Sequence, residues 1–375
     1  MSQTTKEIGK LGFGLMRLPM LGEEVDLEQT KQMVDRFMEK GFTYFDTAYV
    51  YIGGKSEVAA REALVNRYPR ESFQLATKLP VWMIKEPADM QKLFNTHLER
   101  TGAGYIDYYL LHSLGRHSID GLDKNDAWGF MRDLKAKGLA RNIGFSFHDT
   151  ADVLEEILAA HPEMEFVQLQ INYADWENPR IQSRACYEVA RKYNKPVIIM
   201  EPIKGGSLAA LPPAVQAIFK QARPDLSVAS WAMRYAASLP GVITVLSGMS
   251  TLAQMEDNLS YMAEFRPLDK DERKVIDRAV VELSRIPTVP CTECKYCVEH
   301  CPQTINIPEV IGSLNNYKVY ENLASSKGHY KWVTNQAGRN GKASDCVACG
   351  ACEGHCPQHI TISEIMAEAG GLFDK

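Results

Sequence analysis

The sequence predicts an α/β chain: a (β/α)8 TIM barrel over residues 1–285, then a small, mainly α-helical domain over residues 286–375. Three observations carry this. Short apolar runs alternate with amphipathic stretches over roughly the first 250 residues, as in repeated strand–helix units. At 375 residues the chain is longer than one hydrophobic core usually serves. Of its 9 cysteines only Cys186 precedes Cys291, so the last quarter has a chemistry of its own.

The predicted strands are Leu11–Met16, Thr43–Asp46, Phe73–Thr77, Ile106–Leu111, Arg141–Phe145, Phe166–Gln170, Val197–Met200 and Val242–Leu246. Between them the helical period falls on Leu27–Lys40, Ser56–Tyr68, Ala88–Thr101, Asn125–Lys137, Ala151–Ala160, Arg180–Tyr193 and a pair between Pro212 and Ser238. Lys40-Gly41 and Lys137-Gly138 end helices with a cation in the last turn and glycine after it. A doubly wound open sheet would alternate in the same way. After the eighth strand come two further helical runs, Leu252–Phe265 and Asp269–Ser284, and Ile286-Pro-Thr-Val-Pro290 reads as a stiff linker.

Composition narrows the class. Hydrophobic residues make up 45 % and charged residues 24 %, ordinary for a globular chain with a normal core. A net charge of −5 offers no basic face for nucleic acid. No apolar run reaches the roughly eighteen residues a membrane span needs, and the start, MSQTTKEIGK, lacks the apolar stretch of a secretory signal. A cytoplasmic protein with neither a membrane segment nor a nucleic-acid partner is expected.

The cysteines repeat. Cys291, Cys294, Cys297 and Cys301 precede Pro302, and Cys346, Cys349, Cys352 and Cys356 precede Pro357. Both are C-x2-C-x2-C-x3-C-P, the bacterial ferredoxin spacing for [4Fe–4S] clusters. Three thiolates two residues apart wrap one cube, and the fourth cysteine serves the other cluster. One cluster is thus expected on Cys291, Cys294, Cys297 and Cys356, and the second on Cys346, Cys349, Cys352 and Cys301. Structural zinc also uses C-x2-C pairs, but it does not need a third cysteine two residues on. The segment between the motifs reads as helices over 307–317 and 322–330, so the domain resembles the helical dicluster ferredoxin-like modules attached to redox enzymes. His300 and His355, each preceding a fourth cysteine, are candidates to hydrogen-bond a cluster sulfur. Cys186, in a helical run, reads as a small buried apolar residue.

In the barrel, polar residues fall where strands end. Asp46 closes Tyr44-Phe-Asp46, Tyr51 follows in the loop, Lys78 closes Gln74-Leu-Ala-Thr-Lys78, and His112 closes Tyr108-Tyr-Leu-Leu-His112. A barrel's active site is built at those ends, so the four converge on one mouth. Singly, each reads as a cap or a solvated charge.

With Leu11-Gly-Phe-Gly-Leu-Met16 ahead and Gly144-Phe-Ser146 behind, this order resembles the aldo-keto reductase family over residues 8–285. The resemblance implies NAD(P)H-dependent reduction of a small carbonyl substrate. Tyr51 is the implied general acid, Lys78 (held by Asp46) is expected to lower its pKa, and His112 orients the carbonyl. It also implies a cofactor extended across the mouth. Ser146, Gln170 and Asn172 would meet the carboxamide, with Met200 where members often stack a tyrosine on nicotinamide. Gly205, Gly206, Ser207 and Leu208 would meet the pyrophosphate, and Ser247, Gly248, Met249, Gln254 and Asn258 the adenosine half. Phe147 replaces the usual asparagine. No Lys or Arg lies between Ser247 and Asn258, which leans toward NADH or dual use.

Hydride carries two electrons and a [4Fe–4S] cluster one at a time, so coupling them normally needs a flavin. The expected cofactors are therefore two clusters and NAD(P)H, with flavin at the phosphate site as an option and a redox partner protein as the alternative outlet. A second reading makes the chain an electron-transfer or redox-sensing module whose barrel binds nicotinamide or flavin without turnover. The four-residue set favours the enzyme.

Overall fold

The computed structural model describes residues 8–335 and 340–375, and the N-terminal stretch read for a signal begins outside them. Eight parallel strands close into a barrel: β1 (Leu11–Gly14), β2 (Tyr44–Asp46), β3 (Gln74–Pro80), β4 (Ile106–Leu114), β5 (Ala140–Phe147), β6 (Phe166–Gln170), β7 (Val197–Met200) and β8 (Val242–Gly248). Neighbours follow chain order, and β1 closes the ring by pairing with both β2 and β8.

β6 and β7 have the predicted bounds. β3, β4, β5 and β8 run further, past Lys78, His112, Ser146 and Ser247: the apolar run stops at these polar residues before the strand does. β1 is shorter, turning at Gly14 into a 3-10 turn over Leu15–Arg17.

Side chains alternate along each strand, so every second residue points into the barrel. Tyr44, Ala76, Leu110, Phe166, Ile198 and Leu246 fill one interior layer. Two residues further along β2, β3, β4 and β6, on the same face, come Asp46, Lys78, His112 and Gln168. The site therefore rests on a packed apolar floor.

Local signals fix the surrounding helices. Asp26 caps Leu27–Glu39, its Oδ1 accepting the Gln29 N–H at 3.0 Å. Pro87 opens Pro87–Thr101, and Gly102, at φ 65°, ends it. The predicted run Ser56–Tyr68 is instead a short helix, Lys55–Ala60, continued by a π turn over Arg61–Val65. A helix over Arg116–Lys124 was not foreseen.

Contacts divide the chain into two compact units: residues up to Ile203 with Ser230–Arg273, and Lys204–Ala229 with Lys274–Lys375. The second unit holds the helices Ile307–Tyr320, Leu323–Val333 and Ile362–Phe373, whose Val310, Leu314, Tyr330 and Met366 share one core. The last of these helices lies beyond the predicted ones. Tyr330 ties the unit together, its hydroxyl donating to Asp374 at 2.9 Å and accepting the Ala343 N–H at 2.6 Å. Among the described residues no helix is long and apolar enough to cross a membrane.

Candidate functional site

The strand ends bring the four sequence-predicted residues together. Lys78 is 1 % exposed and Asp46 2 %. The Lys78 ammonium donates to Asp46 Oδ1 at 2.5 Å and to the Thr47 carbonyl at 2.8 Å, and it lies 4.8 Å from the centre of the Tyr51 ring. Tyr51 and His112 meet edge to face at 6.0 Å. Burial pulls Asp46 toward the neutral acid and Lys78 toward the amine. Their short, hydrogen-bonded contact opposes both, and we assign the ion pair.

Tyr51 departs from expectation. Burial raises its pKa, and the charge of Lys78, which acts to lower it, does not overcome that. The phenol is held in its protonated form. His112 goes the other way: burial first, then Lys78, His148 and His97, push it down to about 2, so its imidazole is neutral at any working pH. Its Nδ1 is buried and has no partner among the described residues.

β4 is irregular at this point. Its register with β5 shifts between Leu111 and Leu114, and Ser113 adopts φ 61°. The Ser113 N–H donates to Ser146 Oγ at 2.8 Å, which ties the His112 strand end to β5. A non-glycine residue in the left-handed region beside a reactive side chain is a usual mark of a functional site.

Further residues around the mouth were not marked by the sequence pattern. The Trp82 ring, 55 % exposed in the turn after β3, tilts over His112 at 5.2 Å and forms one wall of the mouth. Gln168 reaches Asp46 Oδ2 with its Nε2 at 3.4 Å. The alternation Phe166-Val-Gln-Leu-Gln170 puts Gln168 on the same face as Gln170, and that could have been read. On the opposite face of β3, Thr77 donates to the fully buried Glu57 at 2.7 Å, which also takes His97 Nδ1 at 2.5 Å and Arg100 at 3.4 Å. This network anchors the strand that carries Lys78.

The residues expected to hold a cofactor are distributed as follows. Ser146 is buried at the end of β5 and Gln170 is half-buried at the end of β6, beside Met200 in register on β7. Asn172 is buried, and its amide donates to Asp175 Oδ2 at 2.8 Å and to the Glu201 carbonyl at 3.2 Å while its Oδ1 accepts the Asp175 N–H at 2.9 Å. It shapes its own loop. Ser247 Oγ accepts from Asn258 Nδ2 at 2.6 Å, and Gln254 Oε1 accepts the Ser250 N–H at 2.7 Å. Met249 is buried, and Gly248 is exposed. A Cβ on Gly248 would lie 3.3 Å from the Arg17 stem, so a cation from the turn after β1 stands beside a segment that has none. Gly205, Gly206, Ser207 and Leu208 belong to the second unit. There Lys204, Gly205 and Gly206 take φ of 48°, 62° and 96°, and among the described residues the buried Ser207 hydroxyl has no partner, a turn that fits an anion.

The second unit also holds the cysteines. Cys291, Cys294, Cys297 and Cys356 line one cavity of about 320 Å³, and Cys301, Cys346, Cys349 and Cys352 line another of about 360 Å³, both partly open to solvent. Each loop turns in the same way. The residues flanking the middle cysteine are left-handed: Glu293 (φ 57°) and Lys295 (φ 65°) in one, Ala348 (φ 51°) and Gly350 (φ 70°) in the other. Only one of the four is glycine, so both loops store strain where thiols must face inward. Among the described residues no three ligand side chains converge on a point that could hold a single ion. Burial pushes the Cys297 and Cys352 thiols up to about 11, so thiolates there need a metal to hold them. His300 and His355 stack face to face at 3.6 Å. Cys186 is buried in its helix, as expected for a packing residue.

A closed parallel barrel with a Tyr–Lys–Asp–His constellation at its mouth, followed by two four-cysteine loops, defines a reductase-type barrel with an iron–sulfur extension. The comparisons agree. The Aldo/keto reductase family matches residues 10–281, and a 4Fe-4S dicluster domain matches residues 290–361. The chain belongs to the aldo/keto reductase family. It is 25 % identical to an uncharacterized oxidoreductase of Bacillus subtilis, YqkF, over 72 % of this chain and 92 % of that one. A probable aldo-keto reductase of Glycine max is 31 % identical over 45 % of this chain. The chain spans 49 % of the length of the Glycine max protein and 53 % of an aldo-keto reductase from Bombyx mori. In fold it is similar to an aldo-keto reductase of Bacillus halodurans, solved in a holo form, with a TM-score of 0.58 and 24 % identity over 72 % of this chain and 92 % of that one. An aldo-keto reductase of Klebsiella pneumoniae, in complex with NADPH, gives 0.57 at 18 % identity over 72 % and 90 %.

Proposed function

We propose that residues 1–285 form a carbonyl reductase that uses NAD(P)H, and that residues 286–375 carry two [4Fe–4S] clusters. The observation that carries the first part is the Lys78 ammonium between Asp46 and Tyr51, with His112 against the Tyr51 ring. A bound nicotinamide supplies the hydride. Tyr51, protonated at rest, gives its proton to the carbonyl oxygen as charge develops there. Lys78 then faces the phenolate, and Asp46 holds Lys78 charged and in place. His112, neutral, donates a hydrogen bond to the carbonyl and sets its angle to Tyr51, while Trp82 covers the approach.

Ser146, Gln170 and Met200 take the nicotinamide end. The adenosine side is assigned to Ser247, Gly248, Met249, Gln254 and Asn258, with the Arg17 stem beside Gly248 and its guanidinium 3.9 Å from Glu201. Because that cation comes from outside the segment, we favour use of either dinucleotide over a strict preference for NADH. The clusters divide as the cavities do: Cys291, Cys294, Cys297 and Cys356 for one, Cys346, Cys349, Cys352 and Cys301 for the other. Two sets of four thiols around separate cavities suit cubes rather than zinc ions. The cubes store single electrons for a partner protein of the cytoplasm.

Replacing Tyr51 by Phe tests the reductase reading. The expected outcome is a loss of roughly a thousandfold in kcat, with dinucleotide affinity and cluster absorbance unchanged. Turnover that survives the change contradicts it.

A further inference from the structure

We propose that Gln168 is a positioning residue that keeps Asp46 ionised, and through it Lys78 charged, so that Tyr51 can give up its proton; this rests on the reductase reading above. The geometry is that of a buried carboxylate with two separate donors. Asp46 is 2 % exposed, and its Oδ1 is taken by Lys78 at 2.5 Å. Its Oδ2 faces Gln168 Nε2 at 3.4 Å. Gln168 itself is 1 % exposed, and among the described residues its Oε1 has no donor.

That orphan acceptor fixes the sense of the amide. Turned over, it would set a carbonyl oxygen against a carboxylate oxygen where both side chains are buried. It also makes the residue hard to explain as packing. β6 presents Phe166 to the apolar interior layer two residues earlier, and an apolar side chain at 168 would continue that layer at no polar cost. A half-paired amide is tolerated where it answers a charge.

The groups facing the pair come from every strand around it. Lys78 from β3, Tyr51 from the loop after β2 and Tyr44 from β2 act on or feel Asp46, Glu201 beyond β7 acts on Tyr51, and His112 and His148 face Lys78. Burial drives Asp46 toward its neutral form, and Lys78 and then Gln168 oppose it. Without the amide, Asp46 takes up a proton at higher pH. Lys78 then loses the counter-charge that holds it beside Tyr51. His112, pushed down to about 2, does not titrate near neutrality, so an acid limb there reports on the Asp46–Lys78 pair.

The test uses Gln168→Met, which removes the donor at nearly constant length, in the holoprotein, with Gln168→Leu as the second variant if the first does not fold. Two readouts are taken from pH 5 to 9: carbonyl reduction with NADPH, and the difference in Tm from wild type. We expect kcat/KM about tenfold lower at neutral pH, an acid limb about one unit higher, unchanged NADPH affinity, and a Tm deficit that shrinks as pH falls, because protonated Asp46 no longer needs the donor. Superimposable pH profiles with a pH-independent Tm deficit overturn the proposal. If wild type reduces no carbonyl, the reductase reading falls, and the Tm arm alone then decides for or against Gln168.

Discussion

Two ionisable side chains at the barrel mouth are held uncharged by burial: Tyr51 is raised and His112 is lowered. Under the proposed mechanism each acts in that form, Tyr51 as the proton donor and His112 as the orienting group. The sequence order pointed to both residues, but not to the sign at Tyr51: a lysine neighbour argues for a lower pKa, and only burial, which a sequence does not display, reverses it. His112 yields a prediction of its own. Its pKa falls from 6.5 to about 2 on folding, so the unfolded chain binds a proton that the folded chain refuses. The contribution is absent above 6.5 and destabilises progressively as pH falls below it. Labelled-histidine NMR should show two imidazoles that barely titrate between pH 5 and 8, because burial also pushes His148 down to about 4, and His112→Gln should remove one of them and lessen the loss of stability in acid. A titrating His112 would contradict the neutral, orienting role.

At the scale of elements, the strands were legible as apolar runs, and their interiors fell where expected. The ends of β3, β4 and β8 did not, because Lys78, His112 and Ser247 continue the ladder while breaking the apolar pattern. Gln168, two residues inside the end of β6, looked like strand filling, although its alternation with Gln170 places it on the same face. Trp82 was illegible for another reason, since nothing local tells a turn after Pro80 to lean over β4. The cysteine loops were the reverse case. Their spacing alone anticipated which thiols share a cavity, because a fourth cysteine followed by proline leaves its own loop. That crossing can be checked. Cys356→Ser should lose the cube held by Cys291, Cys294 and Cys297, taking iron from about eight to about four per chain, while the EPR signal of the other cluster persists. Loss of the cluster on Cys346, Cys349 and Cys352 instead would show that each motif binds its own cube.

For the whole molecule, an aldo/keto reductase barrel and a 4Fe-4S dicluster domain lie on one chain. On the proposed reading the barrel has its own complete catalytic set, so the clusters would not be required for carbonyl reduction and their electrons would go to a separate partner. Contacts assign Lys204–Ala229 to the same compact unit as the cysteines, a division that no composition shift announced. The most direct test of the central claim is deuteride transfer. Holoprotein is mixed anaerobically with NADPH deuterated at the nicotinamide C4 and a panel of small aldehydes and ketones, and the alcohol formed is analysed by mass. The account predicts one deuterium in the product carbinol from one face of the nicotinamide, in wild type and not in Tyr51→Phe. Alcohol without deuterium, or deuterium transfer indifferent to Tyr51, would contradict it.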